Sequence, residues 1–569
     1  MRHKHFPMPE HLHAMAGMLT AACVVLGLCV VALSGASSDL PARSAADSHI
    51  VGIDRGARNG QPNPDSPFVV DGELVWNTFL GSAALDGAET VAVDPSGNVY
   101  VAGISGATWG TPVRPFSGSS DAFVAKLDPN GTVLWSTFLG GAGSDGASGI
   151  AVDAFGITYV VGRSKATWGT PVRPYASGDD IFVAKLDPSG ALLWNTFLGG
   201  VNEDWGLRVA ADAFGNSCVA GQSSGTWGSP VRPYTAGYDG FVAKLDAAGS
   251  LLWNTFLGGT AGDGATGVAL DGSGNTYISG SSYAGWGSPV RPYSGTPDAF
   301  AAKMDPNGLL VWNTFLGGGG WATGEGIDVD TSGTAYVVGD SGGTWGSPVR
   351  PYTAGSDSFA ARLDANGLLV WTTFMGGAVD DRGRAIQLGG TGSVCVVGKS
   401  DGTWGSPLRP YTADADAIAV KLHADGSLIW NTFIGGTGRD FGYGIALDST
   451  EDMHLVGYSK ASWGTPVRPY TADADVFVAT LAHAPPGPTV TQIKSKKATR
   501  GSAATIIGTG FSTKKTDNVV YFGKKKADVK RATAKRLSVK IPTKCKKGKN
   551  SVYVVVKGVK SNVVTFTVK

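Results

Sequence analysis

The chain has 569 residues, of which 42% are hydrophobic and only 16% are charged, and 84 are glycine. This composition excludes a disordered protein and predicts large apolar cores joined by many turns. The five cysteines have neither the spacing of metal ligands nor that of a disulfide framework, so a zinc-binding or disulfide-stapled fold is also excluded.

Charge divides the chain into two parts. Residues 489–569 contain 18 Lys and 3 Arg against Asp517 and Asp528, which gives a net charge of +19. The residues before them have a net charge of −18. Regions with such opposite charge are expected to be separate domains.

Residues 1–36 have the pattern of an export signal. Basic residues precede an uncharged stretch from Ala14 to Leu33, and Ser34 and Ala36 provide a small-x-small cleavage pattern. The uncharged stretch is also long enough to span a bilayer, so a cleaved signal peptide and an uncleaved membrane anchor both remain open. Both predict a secreted, periplasmic or cell-surface protein, with residues 37–72 as a linker.

A unit of 59 residues occurs seven times. The tryptophans of a segment resembling WNTFLGG lie at this interval, at Trp76, Trp135, Trp194, Trp253, Trp312, Trp371 and Trp430. A second set, within WG[TS]P, has the same interval, at Trp109, Trp168, Trp227, Trp286, Trp345, Trp404 and Trp463. Repeats of about this length form solenoids or propellers.

Each unit is expected to form four short antiparallel strands. In the second copy these are GIAVD (149–153), TYVVG (158–162), DIFVAKLD (180–187) and ALLWNTFLG (191–199), and tight turns follow the first and third of them. Turns such as DPNG carry the residues that a type I turn with a left-handed glycine needs. The fold class is therefore all-β.

The two ends of the array favour a closed ring. The chain enters at residues 73–81 as the fourth strand of a unit and leaves at 475–481 as the third strand of the last unit. Pairing the N-terminal strand into the last unit removes both exposed sheet edges. The sequence thus predicts a seven-bladed β-propeller of four-stranded blades over residues 73–483, closed by its N-terminal strand, with a linear solenoid as the alternative.

The repeated unit resembles the bacterial β-propeller repeat family SBBP. The resemblance covers about residues 73–481 and rests on the order GIAVD, YVVG, DAFVAKLDPNG and an aromatic-x-Thr-aromatic-Leu-Gly-Gly strand. It departs in the loop, where this chain has WGTPVRPY and the family has a Phe-Pro segment. The resemblance implies an exported seven-bladed propeller and no defined reaction or ligand.

The C-terminal region is predicted to be a second domain. Residues 484–488 (APPGP) are a proline-rich linker, and short strands of Val or Ile alternating with Lys in 489–569 predict a small β-sandwich with one lysine-rich face in water. The segments GSAATIIGTGFS, VYFG, SVKIP and VTFTV resemble the immunoglobulin-like IPT/TIG domain.

The long loops are the first candidate ligand site. Their indoles, guanidinium groups and tyrosine rings are suited to stacking on sugars and to forked hydrogen bonds with carboxylates or sulfates. A rigid loop that packs only on itself is the alternative. The candidate residues are Trp109, Arg114, Trp168, Arg173, Tyr175, Trp227, Arg232, Tyr234, Trp286, Arg291, Tyr293, Trp345, Arg350, Tyr352, Trp404, Arg409, Tyr411, Trp463, Arg468 and Tyr470.

A set of carboxylates is the second candidate site. It precedes the innermost strand of six units and comprises Asp86, Asp145, Asp204, Asp263, Asp381 and Asp440, with Ala322 in the remaining unit. Such a ring would suit Ca²⁺, and turn caps that accept backbone N–H groups are the alternative that we favour. No other cofactor is indicated.

Catalysis has little support in the sequence, because His49, His423, His454 and His483 share no repeated pattern with a nucleophile. We expect a non-enzymatic, monomeric binding or adhesion scaffold. Its basic domain would contact extracellular glycan or another anionic polymer, with no nucleic acid as partner and no membrane contact beyond an uncleaved N-terminal segment. The alternative is a glycosidase-like or lyase-like propeller enzyme. Its chemical asymmetry would come from the atypical segments 201–206, 319–326 and 378–384.

Overall fold

The computed structural model describes residues 71–390, 392–483, 488–495, 497–556 and 559–569. The predicted signal or anchor, nearly all of the linker 37–72 and most of the linker 484–488 lie outside this range. In the part of the chain that is described, no helix is long and apolar enough to cross a membrane. Cys218, Cys395 and Cys545 are buried free thiols.

Seven antiparallel four-stranded sheets form the blades of a propeller. The innermost strands contact one another in a ring around the central channel; they are β2 (Asp86–Val93), β6 (Asp145–Val152), β10 (Asp204–Ala211), β14 (Asp263–Leu270), β18 (Ala322–Val329), β22 (Asp381–Leu388) and β26 (Asp440–Leu447). The second strands are β3 (Val99–Ser105), β7 (Thr158–Ser164), β11 (Ser217–Ser223), β15 (Thr276–Ser282), β19 (Ala335–Ser341), β23 (Val394–Ser400) and β27 (Met453–Ser459).

The outer half of each blade is equally regular. The third strands are β4 (Asp121–Leu127), β8 (Asp180–Leu186), β12 (Asp239–Leu245), β16 (Asp298–Met304), β20 (Asp357–Leu363), β24 (Asp416–Leu422) and β28 (Asp475–Leu481). The outermost strands are β5 (Val133–Leu139), β9 (Leu192–Leu198), β13 (Leu251–Leu257), β17 (Leu310–Leu316), β21 (Leu369–Met375), β25 (Leu428–Ile434) and β1 (Leu74–Leu80). The prediction of four strands per unit is confirmed.

The ring closes as predicted. Strand β1 pairs antiparallel with β28, from Leu74 opposite Leu481 to Leu80 opposite Val476, and becomes the outermost strand of blade 7. The hydrophobic cores lie between adjacent blades; for example, Tyr100 and Val124 of blade 1 share a fully buried cluster with Phe182 of blade 2. Each blade is therefore stabilised mainly by its neighbours, as in other repeat proteins.

In blades 1 to 6, the turn between the third and fourth strands ties the blade to the previous one. Asp187 accepts the backbone N–H groups of Ser189 and Ala191 at 2.8 and 3.0 Å, and Gly190 completes the turn with φ of 86°. The indole Nε1 of Trp135, from the blade before, donates to the carbonyl of Pro188 at 3.1 Å. The turn therefore requires a glycine for its backbone angle and for the indole above it.

Gly190→Ala is expected to lower the free energy of unfolding by about 1–3 kcal/mol. A Cβ at this position would lie 2.7 Å from Cε3 of Trp135, and the left-handed backbone disfavours any L side chain. Thermal or denaturant unfolding measures the effect. Gly272→Ala is the matched control, because a Cβ at Gly272 has nothing within 4 Å. Equal stability of the two variants would contradict this role of the turn.

The C-terminal domain is a β-sandwich. One sheet runs β29 (Thr489–Lys494), β30 (Ala503–Thr509), β33 (Arg536–Lys540) and β32 (Lys525–Thr533), and through β32 it continues into β31 (Asn518–Phe522), β34 (Gly548–Val556), β35 (Val559–Lys560) and β36 (Val564–Val568). The one short helix of the described residues is the 3₁₀ turn Lys515–Asp517. Ile506, Phe522, Leu537 and Val552 are fully buried between the two layers.

Candidate functional site

The tryptophans of the seven loops lie inside the blades. Trp168 is 5% exposed, and its ring meets Phe182 and Phe197 edge to face, with centroids 5.3 and 6.0 Å apart. The carbonyl of the same residue accepts a hydrogen bond from Nδ2 of Asn195 at 2.9 Å. The other six loop indoles are buried to a similar extent. Their faces are therefore occupied by protein, not presented to a sugar.

The loop arginines bind the backbone of their own blade. Arg173 donates from Nη1 to the carbonyl of Phe197 at 2.9 Å and from Nη2 to that of Gly199 at 2.7 Å. Five further arginines make the same pair of bonds, and Arg409 makes the second of them; the five are Arg114, Arg232, Arg291, Arg350 and Arg468.

Six of these guanidinium groups also lie over the tryptophan of the next blade: those of Arg114, Arg232, Arg291, Arg350, Arg409 and Arg468. Arg114 lies over the ring of Trp168 at 5.4 Å, and Arg468 of blade 7 lies over Trp109 of blade 1 at 5.9 Å. These six arginines therefore form a belt that joins neighbouring blades through cation–π contacts. This geometry favours the structural alternative for the loops, while ligand binding by them stays a prediction.

The outward surface of the loops is aliphatic. The tyrosine hydroxyls turn back onto their own loops, as when Tyr175 donates to the carbonyl of Gly178 at 2.9 Å. The large exposed side chain of each loop is instead the Val or Leu between proline and arginine, 38–49% exposed: Val113, Val172, Val231, Val290, Val349, Leu408 and Val467.

Arg232→Gln is expected to lower the free energy of unfolding by about 1–3 kcal/mol, because two buried carbonyls lose a charged donor. The measurement is denaturant unfolding of the full chain. Its control is the neighbouring Val231→Ala, which shortens a side chain that is 40% exposed and should stay within about 0.5 kcal/mol of the parent. A destabilised Val231→Ala with an unchanged Arg232→Gln would contradict the belt.

The six predicted metal-site aspartates cap the connections between blades. Asp145 accepts the backbone N–H of Gly141 at 2.9 Å, and Asp204, Asp263, Asp381 and Asp440 accept that of the glycine four residues before each of them. Asp86 accepts from Ser82 in the same way, at 2.6 Å. The geometry thus supports the turn-cap alternative.

A second buried carboxylate stands beside each cap. A Cβ at Gly140 would lie 2.6 Å from Oδ2 of Asp145 and 2.8 Å from Oδ1 of Asp121, so the two side chains flank that glycine. Burial, with some repulsion from the neighbouring carboxylate, raises the pKa of Asp263 and of Asp381 to about 7. Within the described residues no group of three or more His, Cys, Asp or Glu could hold a metal ion. Calcium binding therefore stays a prediction.

The central channel contains a different set of groups, created by a β-bulge in every innermost strand. Ala88 pairs with Gly103 and Thr90 with Ala102, so that Glu89 bulges out of the ladder. Bulges re-aim side chains and are frequent beside functional sites. The bulge residues occupy equivalent positions in the seven strands, but their side chains vary in chemistry: Glu89, Ser148, Leu207, Thr266, Glu325, Arg384 and Tyr443.

The bulges lie next to an aliphatic ring. The sixth residue of each innermost strand supplies one member: Val91, Ile150, Val209, Val268, Ile327, Ile386 and Ile445. A cavity of about 130 Å³ lies here and is lined by six of these side chains together with Glu89, Arg208, Arg384 and Tyr443. The channel thus combines a charged wall with an apolar one.

The charged groups of the channel form one network. Arg384 contacts Glu325 at 3.0 Å, and Nη1 of Arg208 donates to the carbonyl of Ser148 at 2.7 Å. Burial raises the pKa of Glu89 to about 7, although the positive charge of Arg208 opposes the shift. Burial also raises the pKa of Asp340, whose Oδ1 accepts the N–H of Gly383 at 2.8 Å.

Two aromatic rings of blade 7, those of Phe441 and Tyr458, lie beside the bulge residue Tyr443. Phe441 and Tyr458 stack with centroids 4.9 Å apart, and Lys399 and Arg439 lie over Phe441 at 5.2 and 5.3 Å. These residues come from the second position of the innermost strand, the sixth position of the second strand and the connection between blades.

The atypical segments 319–326 and 378–384 do contribute to this region, through Glu325 and Arg384. Segment 201–206 supplies Trp205, whose ring contacts that of Tyr238 with centroids 5.9 Å apart. Glu89, Arg208, Asp340 and Tyr443 belong to no sequence motif and were not predicted. Aligning the seven copies on one another would have found Glu89, Asp340 and Tyr443, although not Arg208, because three columns vary between copies. These are the bulge column, the second column of the innermost strand (Gly87, Gly146, Trp205, Gly264, Thr323, Arg382, Phe441) and the sixth of the second strand (Ile104, Arg163, Gln222, Ser281, Asp340, Lys399, Tyr458).

The sandwich presents a third candidate surface. Lys524, Lys525 and Lys526 are exposed in and beside the turn before β32, and Lys546 and Lys547 are exposed in the loop before β34. Residues 488–568 match the IPT/TIG domain family. The predicted resemblance of the C-terminal domain is thereby confirmed, and the IPT/TIG domain is the strongly basic part of the chain.

Curated relatives match only part of the chain. A WD repeat-containing protein of Acanthamoeba polyphaga mimivirus is 22% identical over 335 residues, covering 45% of this chain and 24% of that protein. The regulatory protein FlaEY of Caulobacter vibrioides is 25% identical over 312 residues, covering 48% and 31%. The chain thus spans about a quarter to a third of the length of these two relatives.

Among solved structures, the Pan2 WD40 domain of Neurospora crassa is similar at a TM-score of 0.39 and 10% identity, covering 73% of this chain and 97% of that domain. The assignment of seven four-stranded blades rests on the strand pairing itself. A propeller followed by an IPT/TIG domain is consistent with a binding or scaffold role.

Proposed function

We propose that the protein is an exported, non-enzymatic binding scaffold of the cell envelope, held there by the contact of its IPT/TIG domain with an anionic polymer. The proposal for export rests on residues 1–36 and on the resemblance of the repeats to the SBBP family. Retention on a polymer is supported by one observation above all, the exposed positive charge of the C-terminal domain.

This charge has few internal counter-ions. The domain carries 21 basic side chains against Asp517 and Asp528, and the ion pair recorded in its described part joins Lys530 to Asp528. Exposed lysines repel one another, and a linear polyanion relieves this repulsion while it releases its own condensed counter-ions. An acidic polysaccharide meets this requirement outside the cytoplasm. We assign glycan recognition to this surface because the loop indoles are buried.

Binding of the full chain to dextran sulfate, with neutral dextran for comparison, tests the proposal. We expect saturable binding that falls steeply with salt. Replacing Lys524, Lys525, Lys526, Lys544, Lys546 and Lys547 together by Gln should weaken binding by roughly tenfold or more near 0.1 M salt. All six side chains are exposed, so the fold should tolerate the change.

Replacing the same six lysines by Arg is the matched control, because it alters the side chains and keeps the charge. This variant should bind as the parent does. Equal binding by the parent, the Gln variant and the Arg variant would overturn the assignment to these lysines. Absence of binding to dextran sulfate would overturn retention by charge altogether.

A further inference from the structure

The channel cavity is the place where this highly repetitive chain is least repetitive. The side chains that build the blades are nearly the same in every copy, whereas the bulge column holds an acid, an alcohol, an aliphatic group, a guanidinium or a phenol. Blade packing does not require this variety, since one fold accommodates all seven residues. A single asymmetric ligand at the centre of the ring would require it.

The charges around the cavity indicate the sign of that ligand. The guanidinium groups of Arg163, Arg208 and Arg384 act on Glu89, and Arg382 and Arg384 act on Asp340. With Glu325, the network has four cationic groups and three carboxyl groups. Two of those carboxyls have pKa values raised by burial, so the network carries excess positive charge at neutral pH.

The size and polarity of the cavity limit the body of the ligand. A volume of about 130 Å³ suits a molecule near the size of benzene. The aliphatic ring offers no hydrogen bonds, so inorganic phosphate or sulfate would leave this wall unused. A cation would be repelled by the excess of guanidinium groups.

We propose that the channel cavity binds a small organic carboxylate built on a six-membered ring, with the carboxylate at Arg208 and Arg384 and the ring against the aliphatic side chains. Each guanidinium has five N–H donors, so Arg384 can keep its contact with Glu325 while it donates hydrogen bonds to the carboxylate of the ligand. The neighbouring carboxylate keeps the guanidinium oriented. Tyr443 also lines the cavity, and its phenol is a further hydrogen-bonding group.

Titration calorimetry of the full chain with benzoate tests this proposal. We expect one saturable site with a Kd on the order of 1 mM, which is reasonable for a ligand of this size. Benzyl alcohol, which keeps the ring and lacks the charge, should bind roughly tenfold more weakly or worse. Glucuronate is the second ligand to be titrated, because a carboxylate on a six-membered ring also occurs in an acidic sugar at the end of a polysaccharide. Tighter binding of glucuronate than of benzoate would identify that source.

Two variants locate the site. The double variant Glu325→Gln and Arg384→Gln removes both members of the ion pair, so that neither is left without the other, and should weaken benzoate binding roughly tenfold. The triple variant Val91→Ile, Val209→Ile and Val268→Ile changes no charge. It introduces the isoleucine that other blades already carry at this position, so the variant should fold. The larger side chains should make the cavity too small for the six-membered ring of the ligand.

The control replaces Lys524, Lys525 and Lys526 of the IPT/TIG domain by Gln and should leave benzoate binding unchanged. Loss of binding in this control would place the carboxylate on exposed lysines and overturn the proposal. Equal affinity for benzyl alcohol, unchanged binding in both channel variants, or no saturable binding of either carboxylate would also overturn it.

Discussion

Deleting residues 71–81 is expected to abolish cooperative folding of the propeller. The deletion removes β1, in which Phe79 and Leu80 are fully buried, and with it the outermost strand of blade 7, which pairs with β28. The loss of one buried aromatic residue costs about 3–5 kcal/mol, and the whole strand costs more than the 5–15 kcal/mol that stabilises a typical domain. Scanning calorimetry and light scattering should show a broad transition at lower temperature and aggregation.

The matched control restores a fourth strand to blade 7, now placed after β28 in the sequence. Inserting a copy of residues 187–199, the turn and outermost strand of blade 2, between Leu481 and Ala482 of the deleted chain should restore a sharp transition. In each of the other six blades, the third and fourth strands form an antiparallel hairpin of this kind. If the deleted chain folded as stably as the parent, or if the inserted strand failed to rescue it, ring closure by β1 would not be what stabilises the propeller.

Lowering the pH from 8 to 5 is expected to stabilise the propeller by several kcal/mol, on the order of one kcal/mol for each strongly shifted carboxyl. Burial raises the pKa of Asp263 and Asp381 to about 7 and that of Asp180 and Asp440 to about 6. Between pH 4 and 7 the folded state therefore binds more protons than the unfolded state does. Stability must then fall as the pH rises through this window, and thermal unfolding across it measures the slope.

Asp381→Asn should flatten this pH dependence and raise the melting temperature at pH 8, because the amide keeps an acceptor for the N–H of Gly377 and has no charge to bury. Blade 5 supplies the comparison, since Ala322 occupies the place of the cap there. Ala322→Asp should create a pair with Asp298 and steepen the slope. Melting temperatures that rise from pH 5 to pH 8 would contradict the account of the paired carboxyls.

The blade architecture was readable from the sequence because its determinants are local. The turn around Gly190 is specified by Asp187 and the glycine itself, and the offset start of the array predicted the pairing of β1 with β28. Both the order of strands and the ring closure follow from such signals. The lysine-rich sandwich was predicted for the same reason, from alternation within single strands.

The candidate sites were less predictable, because they depend on directions of side chains between blades. Whether Trp168 faces water or Phe182 is decided by how a long loop folds back, and Arg114 finds its second contact on another blade. The bulge that turns Glu89 toward the channel leaves no mark within a single copy. Only the comparison of all seven copies, combined with the ring geometry, distinguishes the channel residues from ordinary strand residues.

The closing strand also sets an order of events during biosynthesis. Leu80 pairs with Val476, so roughly 400 residues must be made after β1 before its partner exists. At a synthesis rate of about 5–20 residues per second, the hydrogen-bonding edge of β1 stays unpaired for about 20–80 s. During this time six blades can assemble as an open arc, and each end of the arc has an unpaired strand edge that can pair with another chain. The nascent chain is therefore most exposed to self-association just before synthesis of β28, and the last strand of the propeller ends that exposure.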